Sequence, residues 1–399
     1  MRTFQSWISI TSSDTLSAVH FRCGGPEERM LKRYKLRNYD FKLILLVLAI
    51  SIIGIMAVGS AKESLQSKQI AGVAMGIVLM IFISLIDYSQ LLRLYWFYYI
   101  FSISILVAVL IWGEKVNGAR RWIDIPHLFQ FQPSEIAKIL LILFYAQFIM
   151  KYKEKFNTFK ILLLCVVLML PAIILVYKEP NLSTTILYCI IFCVLMFVGG
   201  LNYKIIGGVL AVVVPSLAIA FYLVMQPGQQ LIENYQLTRI LAWLNPEKYA
   251  DAEAYQQLNS VMAIGSGQLW GKGLNNNVIA SVKNGNFISE PETDFIFAVI
   301  GEEMGFVGAC IVIVLLMLIA LECISIARTA KDTSGMIIAS GMAAVIGFQS
   351  FMNIAVTTMI MPNTGIPLPF VSNGMTSLLS LFIGMGFVLN VRLQRKNLY

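Results

Sequence analysis

Long apolar runs recur along the whole of this 399-residue chain, and no other feature restricts its folding so strongly. Reading runs of roughly 17 to 25 apolar residues as bilayer spans gives about ten of them. They fall at 42–60, 69–87, 94–113, 135–150, 161–177, 183–200, 203–225, 295–327, 336–357 and 374–391. With 58% hydrophobic residues and a mean hydropathy of +0.74, the chain carries more apolar surface than one water-soluble core can hide. Within lipid the backbone polar groups must be satisfied inside each segment, so the spans are expected to be helices. The expected fold is an all-α polytopic membrane protein.

Lysine and arginine set the orientation, because loops on the cytoplasmic side carry an excess of them. With the N-terminus inside, 19 of the 30 basic residues lie on inner segments, which makes both termini cytoplasmic. The net charge of +8 then reports topology and a basic inner surface facing anionic lipid, and it gives no argument for nucleic acid. Residues 1–37 read as a cytoplasmic tail. Its first 29 residues contain no apolar core or cleavage pattern of a signal peptide, and "MLKRYKLRNYDFKLILLV" from Met30 reads like a start before the first span. Residues 38–395 form the membrane domain and 396–399 a short cytoplasmic end.

Four of the six cysteines, Cys165, Cys189, Cys193 and Cys310, lie within spans, and no disulfide framework follows from their spacing. The two histidines, His20 and His127, leave little room for histidine-based nucleophilic or zinc chemistry. An enzyme of this composition would use carboxylates or metal assistance.

Two connections are long, 114–134 and 226–293, and both fall on the outer side, where they form the expected working face. Residues 226–293 are acidic on balance, with four basic side chains against six acidic ones, which argues against a general anion trap. Leu237, Ile240, Leu241 and Leu244 recur at helical spacing before Asn245-Pro246 and predict a short amphipathic helix. "AIGSGQLWGKGL", Ala263 to Leu274, is expected to be a cluster of turns, with presentation of backbone N–H groups to phosphate as the weaker reading. Before the last span, Pro362, Pro367 and Pro369 forbid a continuous helix. A re-entrant loop walling a site is one expectation there and an ordinary loop above the membrane is the other.

Although only 13% of residues are charged, Ser289 to Phe306 holds Glu290, Glu292, Asp294, Glu302 and Glu303 at and inside the start of an apolar run. At about 100° per residue, Asp294, Ala298, Gly301, Gly305 and Gly308 share one helix face, within about 40° of each other. Small residues in such a stripe mark close helix contact, so Asp294 is expected to look into the bundle. It can cap the helix there, or, half-desolvated, act as a general base. Glu302 and Glu303 are expected to form internal ion pairs or hydrogen bonds, while Glu290 and Glu292 belong to the rim. Arg120 and Arg121 lie on the outer face against the positive-inside trend, and they suit either a phosphate or lipid headgroups. Glu135 and Lys138, three residues apart, are placed to satisfy one another.

"NGARRWID", "FQPSEIAK", "AIGSGQLWGKG", "TDFIFAVIGEEMGFVGA" and "TGIPLPFVS", in this order, resemble the SEDS family of shape, elongation, division and sporulation proteins. The likeness covers nearly everything from about Asn38 to Arg395, and the "TGIPLPF" wording with the short basic end looks more like the elongation branch than the division or sporulation branches. It implies a peptidoglycan glycosyltransferase that polymerises lipid II on the outer face of the bacterial cytoplasmic membrane, beside a class B penicillin-binding protein and other elongation-complex membrane proteins. The family's essential acid falls on Asp294. Arg120, Arg121, Lys138, Glu290 and Ser372 become the substrate-binding candidates, and a divalent cation, magnesium or manganese, is a candidate cofactor. The chain departs from the family wording at Asn117, Asn181, Glu292 and Asn373, where a lysine, an aspartate, a histidine and the tyrosine of "SYGGSS" are usual.

Two readings compete with the enzyme. Many spans with buried charges suit a flippase for the same polyprenyl-linked substrate, although no inverted repeat is evident. Altered secondary motifs suit a non-catalytic scaffold for a penicillin-binding protein.

Overall fold

The computed structural model describes residues 39–116, 119–125, 129–224, 226, 234–275 and 287–395. The expected tail 1–37, the end 396–399, His127 and the departure at Asn117 lie outside these residues, as do parts of the long outer segment.

Each of the ten expected apolar runs is helical. In chain order the helices are α1 (Phe41–Ala61), α2 (Glu63–Leu85), the single turn α3 (Tyr88–Leu91), α4 (Tyr95–Trp112), α5 (Pro133–Lys151), α6 (Phe159–Lys178), α7 (Leu182–Val198), α8 (Tyr203–Val224), α9 (Asn234–Leu244), α10 (Tyr255–Ser266), α11 (Ile296–Arg328), α12 (Thr333–Thr357) and α13 (Met375–Leu393). Among the described residues eight helical stretches are long and apolar enough to cross a membrane, and α7 and the described part of α8 are shorter apolar helices. The bundle is therefore that of a multi-pass membrane protein.

Local chemistry ends these helices where the sequence demands it. Asp40, Asn181 and Asp332 cap α1, α7 and α12 by accepting from Leu43, Thr184 and Gly335 N–H groups. Pro133 opens α5 at its first position, where no N–H is needed. The bundle has a centre and a ring. Most of α5, α12 and α13 is buried (78%, 72% and 83% of their apolar stretch), against 22% for α6, which turns much of its surface outward. Along α8 nearly every described residue is exposed.

The connection 114–134, expected on the outer side, departs from an all-α fold. It forms a three-stranded antiparallel sheet, β1 (Glu114–Val116), β2 (Ala119–Ile125) and β3 (Phe129–Phe131), in the order β1-β2-β3. Strand signals are present in "ARRWIDI", whose β-branched and aromatic residues suit an extended backbone.

The helix that carries the acidic cluster is also different from the straight rod expected. α11 begins at Ile296, after Asp294, and its backbone breaks at Gly305 (φ 67°, ψ −166°). A side chain at Gly305 would meet the Gly271 nitrogen at 2.3 Å, so only glycine fits this left-handed position against the 268–273 turn. That turn pairs with the broken helix. Phe306 N donates to Gln268 O (2.9 Å), and Lys272 N and Gly273 N donate to Glu302 O and Glu303 O (2.9 and 3.0 Å). The glycine-rich stretch therefore serves close backbone packing, and Ala298, Gly301, Gly305 and Gly308 are all buried in the process.

Candidate active site

At one end of the bundle the sheet, α9, the segment before α11 and the 358–374 connection enclose an open cavity of about 940 Å³. Asp294 lines it, with Arg121, Arg239, Glu290, Asn181 and Thr364 among its neighbours. Backbone contacts hold the segment that carries Asp294. Asn373 N donates to Glu292 O (2.9 Å), Ser372 Oγ donates to Thr293 O (2.6 Å), and Asn353 Nδ2 donates to Asp294 O (2.8 Å). The same Asn353 amide bonds Ile366 O (2.7 Å), which ties the Asp294 segment and the proline-rich connection to one point on α12.

The carboxylate itself accepts no hydrogen bond from any described residue. Burial pushes the Asp294 carboxyl up to about 6, and Glu290 adds to this by repulsion, while the guanidiniums of Arg121 and Arg239 oppose it. Gly365 (φ 63°) approaches it so closely that a Cβ there would lie 2.8 Å from Asp294 Oδ2. A half-buried, unbonded carboxylate facing an open cavity and two guanidiniums can take a proton from a bound hydroxyl.

The 358–374 connection is non-helical and deeply buried, with Ile366, Leu368, Phe370 and Val371 at 2% exposure or less. Its backbone is satisfied by side chains: Ser183 Oγ donates to Thr364 O (2.8 Å) and Gln349 Nε2 to Pro367 O (3.0 Å).

Of the residues expected in the site, the structure brings Asp294, Arg121 and Glu290 together at the cavity and leaves three elsewhere. Arg120 does not line the cavity, and its Nη1 donates to Leu110 O (3.0 Å). Lys138 is 1% exposed, bonded to Glu135 Oε2 and Gln349 Oε1, both at 2.8 Å, and so holds α5 to α12 rather than reaching a ligand. Ser372 accepts from Leu368 N (2.7 Å) while donating to Thr293 O, which makes it a support beneath Asp294. Glu292, expected on the rim, is buried and paired with Lys62 at 2.9 Å. Glu302 and Glu303 do find the internal partners expected of them, Lys272 (2.7 Å) and Ser60 (2.5 Å).

Sequence reading missed Arg239. It stands on α9, the amphipathic helix predicted before Asn245-Pro246, and α9 docks on the proline-rich connection through Arg239 Nη1 to Asn363 O (3.3 Å) and Trp243 Nε1 to Met359 O (3.0 Å). A lone cation within the predicted amphipathic helix was the available signal. Asn181 also lines the cavity while capping α7. Among the described residues no three His, Cys, Asp or Glu side chains converge to hold a metal ion. The guanidiniums of Arg121 and Arg239 both act on the Asp294 carboxyl.

Fold and site define a helical membrane protein with one acid-bearing cavity at the end of its bundle. Comparison with known proteins gives that class a family. The model of the FtsW/RodA/SpoVE family, described as cell cycle protein, matches residues 35–397. Peptidoglycan glycosyltransferase MrdB of Escherichia coli K12 is 33% identical over 368 residues, 90% of this chain and 95% of that protein. The probable peptidoglycan glycosyltransferase FtsW of Trichlorobacter lovleyi is 32% identical over 380 residues, 91% and 96% of the two chains. Among solved structures, a chain from a peptidoglycan synthase complex that coordinates polymerization and crosslinking superposes with a TM-score of 0.72 at 28% identity, covering 89% of this chain and 97% of that one. The rod shape determining protein RodA of Thermus thermophilus gives 0.65 at 27% identity, covering 90% and 98%. The chain belongs to the FtsW/RodA/SpoVE family, which the SEDS resemblance of its motifs anticipates.

Proposed function

We infer that the chain is a peptidoglycan glycosyltransferase that polymerises lipid II, with Asp294 as its general base. The observation that carries this reading is the Asp294 carboxylate, unbonded among the described residues and facing the cavity between Arg121 and Arg239. In the reaction the acceptor sugar's 4-hydroxyl gives its proton to Asp294 as its oxygen bonds to C1 of the donor MurNAc. The bond from C1 to the phosphate oxygen breaks, polyprenyl pyrophosphate leaves with the electron pair, and attack from the opposite face gives a β-1,4 linkage. Arg121 and Arg239 are placed to balance the charge that grows on the departing pyrophosphate.

Orientation, span count and partner extend this reading. The ten apolar helices all cross the membrane, both termini are cytoplasmic, and the proline-rich connection enters the bundle from outside as a re-entrant wall of the cavity. Its burial supports that arrangement. The cavity then faces outward, where lipid II headgroups are presented. The "TGIPLPF" wording favours wall elongation and cell shape over division or sporulation. Likeness to a chain of a synthase complex supports a class B penicillin-binding protein as partner.

Purified protein with its partner and fluorescent lipid II provides the test. Asp294→Asn is expected to lower glycan formation by roughly 10³-fold, the scale on which a positioned general base contributes, while thermal unfolding stays close to that of wild type. Equal glycan from both proteins would falsify the assignment.

A further inference from the structure

Beside Arg121 there is a carboxyl group that the reaction above leaves unused. Glu179 follows the last turn of α6 and is fully buried, and neither of its carboxyl oxygens has a hydrogen-bond partner. It does not line the cavity, but its turn is the anchor of a residue that does. Arg121 donates through Nε to Glu179 O (3.1 Å) and through Nη2 to Pro180 O, so the backbone of this turn fixes the guanidinium that faces Asp294. The charged and titratable groups around Glu179 are few. Arg121 reaches it from β2 and Tyr188 from α7, and the same Arg121 charge acts on Asp294.

We propose that Glu179 is a positioning residue for the donor pyrophosphate, which leaves the Arg121 charge to the cavity while it is neutral and captures that charge when it ionises. The physical grounds are the missing partners and the shared arginine. A carboxylate formed in a dry site seeks a cation, and the guanidinium already bonded to its own backbone is the one within reach. Neutral Glu179 makes no such demand. Burial pushes its carboxyl up to about 8 against the opposing pull of Arg121, so the exchange falls just above physiological pH.

The inference rests on the glycosyltransferase reading for its substrate, and the experiment separates the two. Glycan formation by the full chain with its partner is followed from about pH 6 to 9.5 for wild type and Glu179→Gln, with KM and kcat resolved. Wild type is expected to lose about tenfold in kcat/KM between about pH 7 and 9, carried by KM, because the neutral fraction of one acid falls by that factor. In Glu179→Gln, which cannot ionise, the ratio between those pH values approaches one. An undiminished alkaline fall in the Gln variant, or a wild-type fall carried by kcat alone, overturns the proposal. Binding of inorganic pyrophosphate to the wild-type chain at the same two pH values needs neither turnover nor a folded variant; about tenfold weakening is expected, and equal affinity overturns the proposal. No glycan at any pH from wild type would instead sink the glycosyltransferase reading, and the pyrophosphate measurement would still decide the role of Glu179.

Discussion

At the residue scale, the site is one carboxylate whose proton affinity is set by its neighbours. As the proposed base Asp294 must be ionised, so on that reading activity is expected to rise with pH through about 6. Glu290 raises this value by like-charge repulsion. Removing that charge with Glu290→Gln should move the acid limb of kcat/KM to lower pH, whereas Arg239→Gln, which removes an opposing cation, should move it higher. Gly365 makes a second case. Its φ of 63°, and the 2.8 Å at which a methyl group there would meet Asp294 Oδ2, mean that Gly365→Ala pushes the carboxylate aside as well as straining the backbone. A loss of roughly 10²-fold in kcat is expected for a misplacement on the order of 1 Å, with a stability cost of only about 1 to 2 kcal/mol. Motif wording and the small-residue pattern make Asp294 legible in the sequence. Arg239 is not, because its place depends on how α9 docks on a connection far along the chain. Arg120 and Arg121 are told apart by their partners, Leu110 O on α4 for one and the turn after α6 for the other, which adjacent positions in the sequence do not record.

At the scale of elements, hydropathy locates the helices, and their polar interiors explain how they are held. Lys138 bonds Glu135 on α5 and Gln349 on α12, all three side chains buried. Taking away one member of such a pair leaves the other charged and unpaired, so Lys138→Met is expected to cost about 3 to 5 kcal/mol, and Glu135→Met with Lys138→Met much less. Thermal unfolding of the three proteins in detergent checks this, and a double variant as unstable as the single one would contradict it. A helical wheel through Asp294 places the small residues correctly but assumes an unbroken rod. Gly305 ends that assumption: its positive φ depends on the facing 268–273 turn, and nothing in a single helix's periodicity records the backbone that packs against it.

At the scale of the whole molecule, composition and charge distribution define a membrane bundle, and the cavity gives it an axis. If the cavity opens outward, a cysteine replacing Ser289 on its lining should react with a membrane-impermeant maleimide in intact cells, whereas native Cys323, buried toward the other end of α11, should not. Labelling of Ser289→Cys only after lysis would reverse the orientation. The break in α11 bears on depth as well. An unbroken rod of its 33 residues would measure about 50 Å, against roughly 30 Å of hydrocarbon. With the rod interrupted at Gly305, the stretch from Phe306 to Arg328 is the length that suits a bilayer, and exposed Trp270 and Phe306 stand at the join, where aromatic rings favour the lipid boundary. The piece before Gly305 is fastened to α10 and to the 268–273 turn. On the proposed topology the height of the carboxylate relative to the bilayer is then fixed by protein, and it should hold when the thickness of the membrane changes.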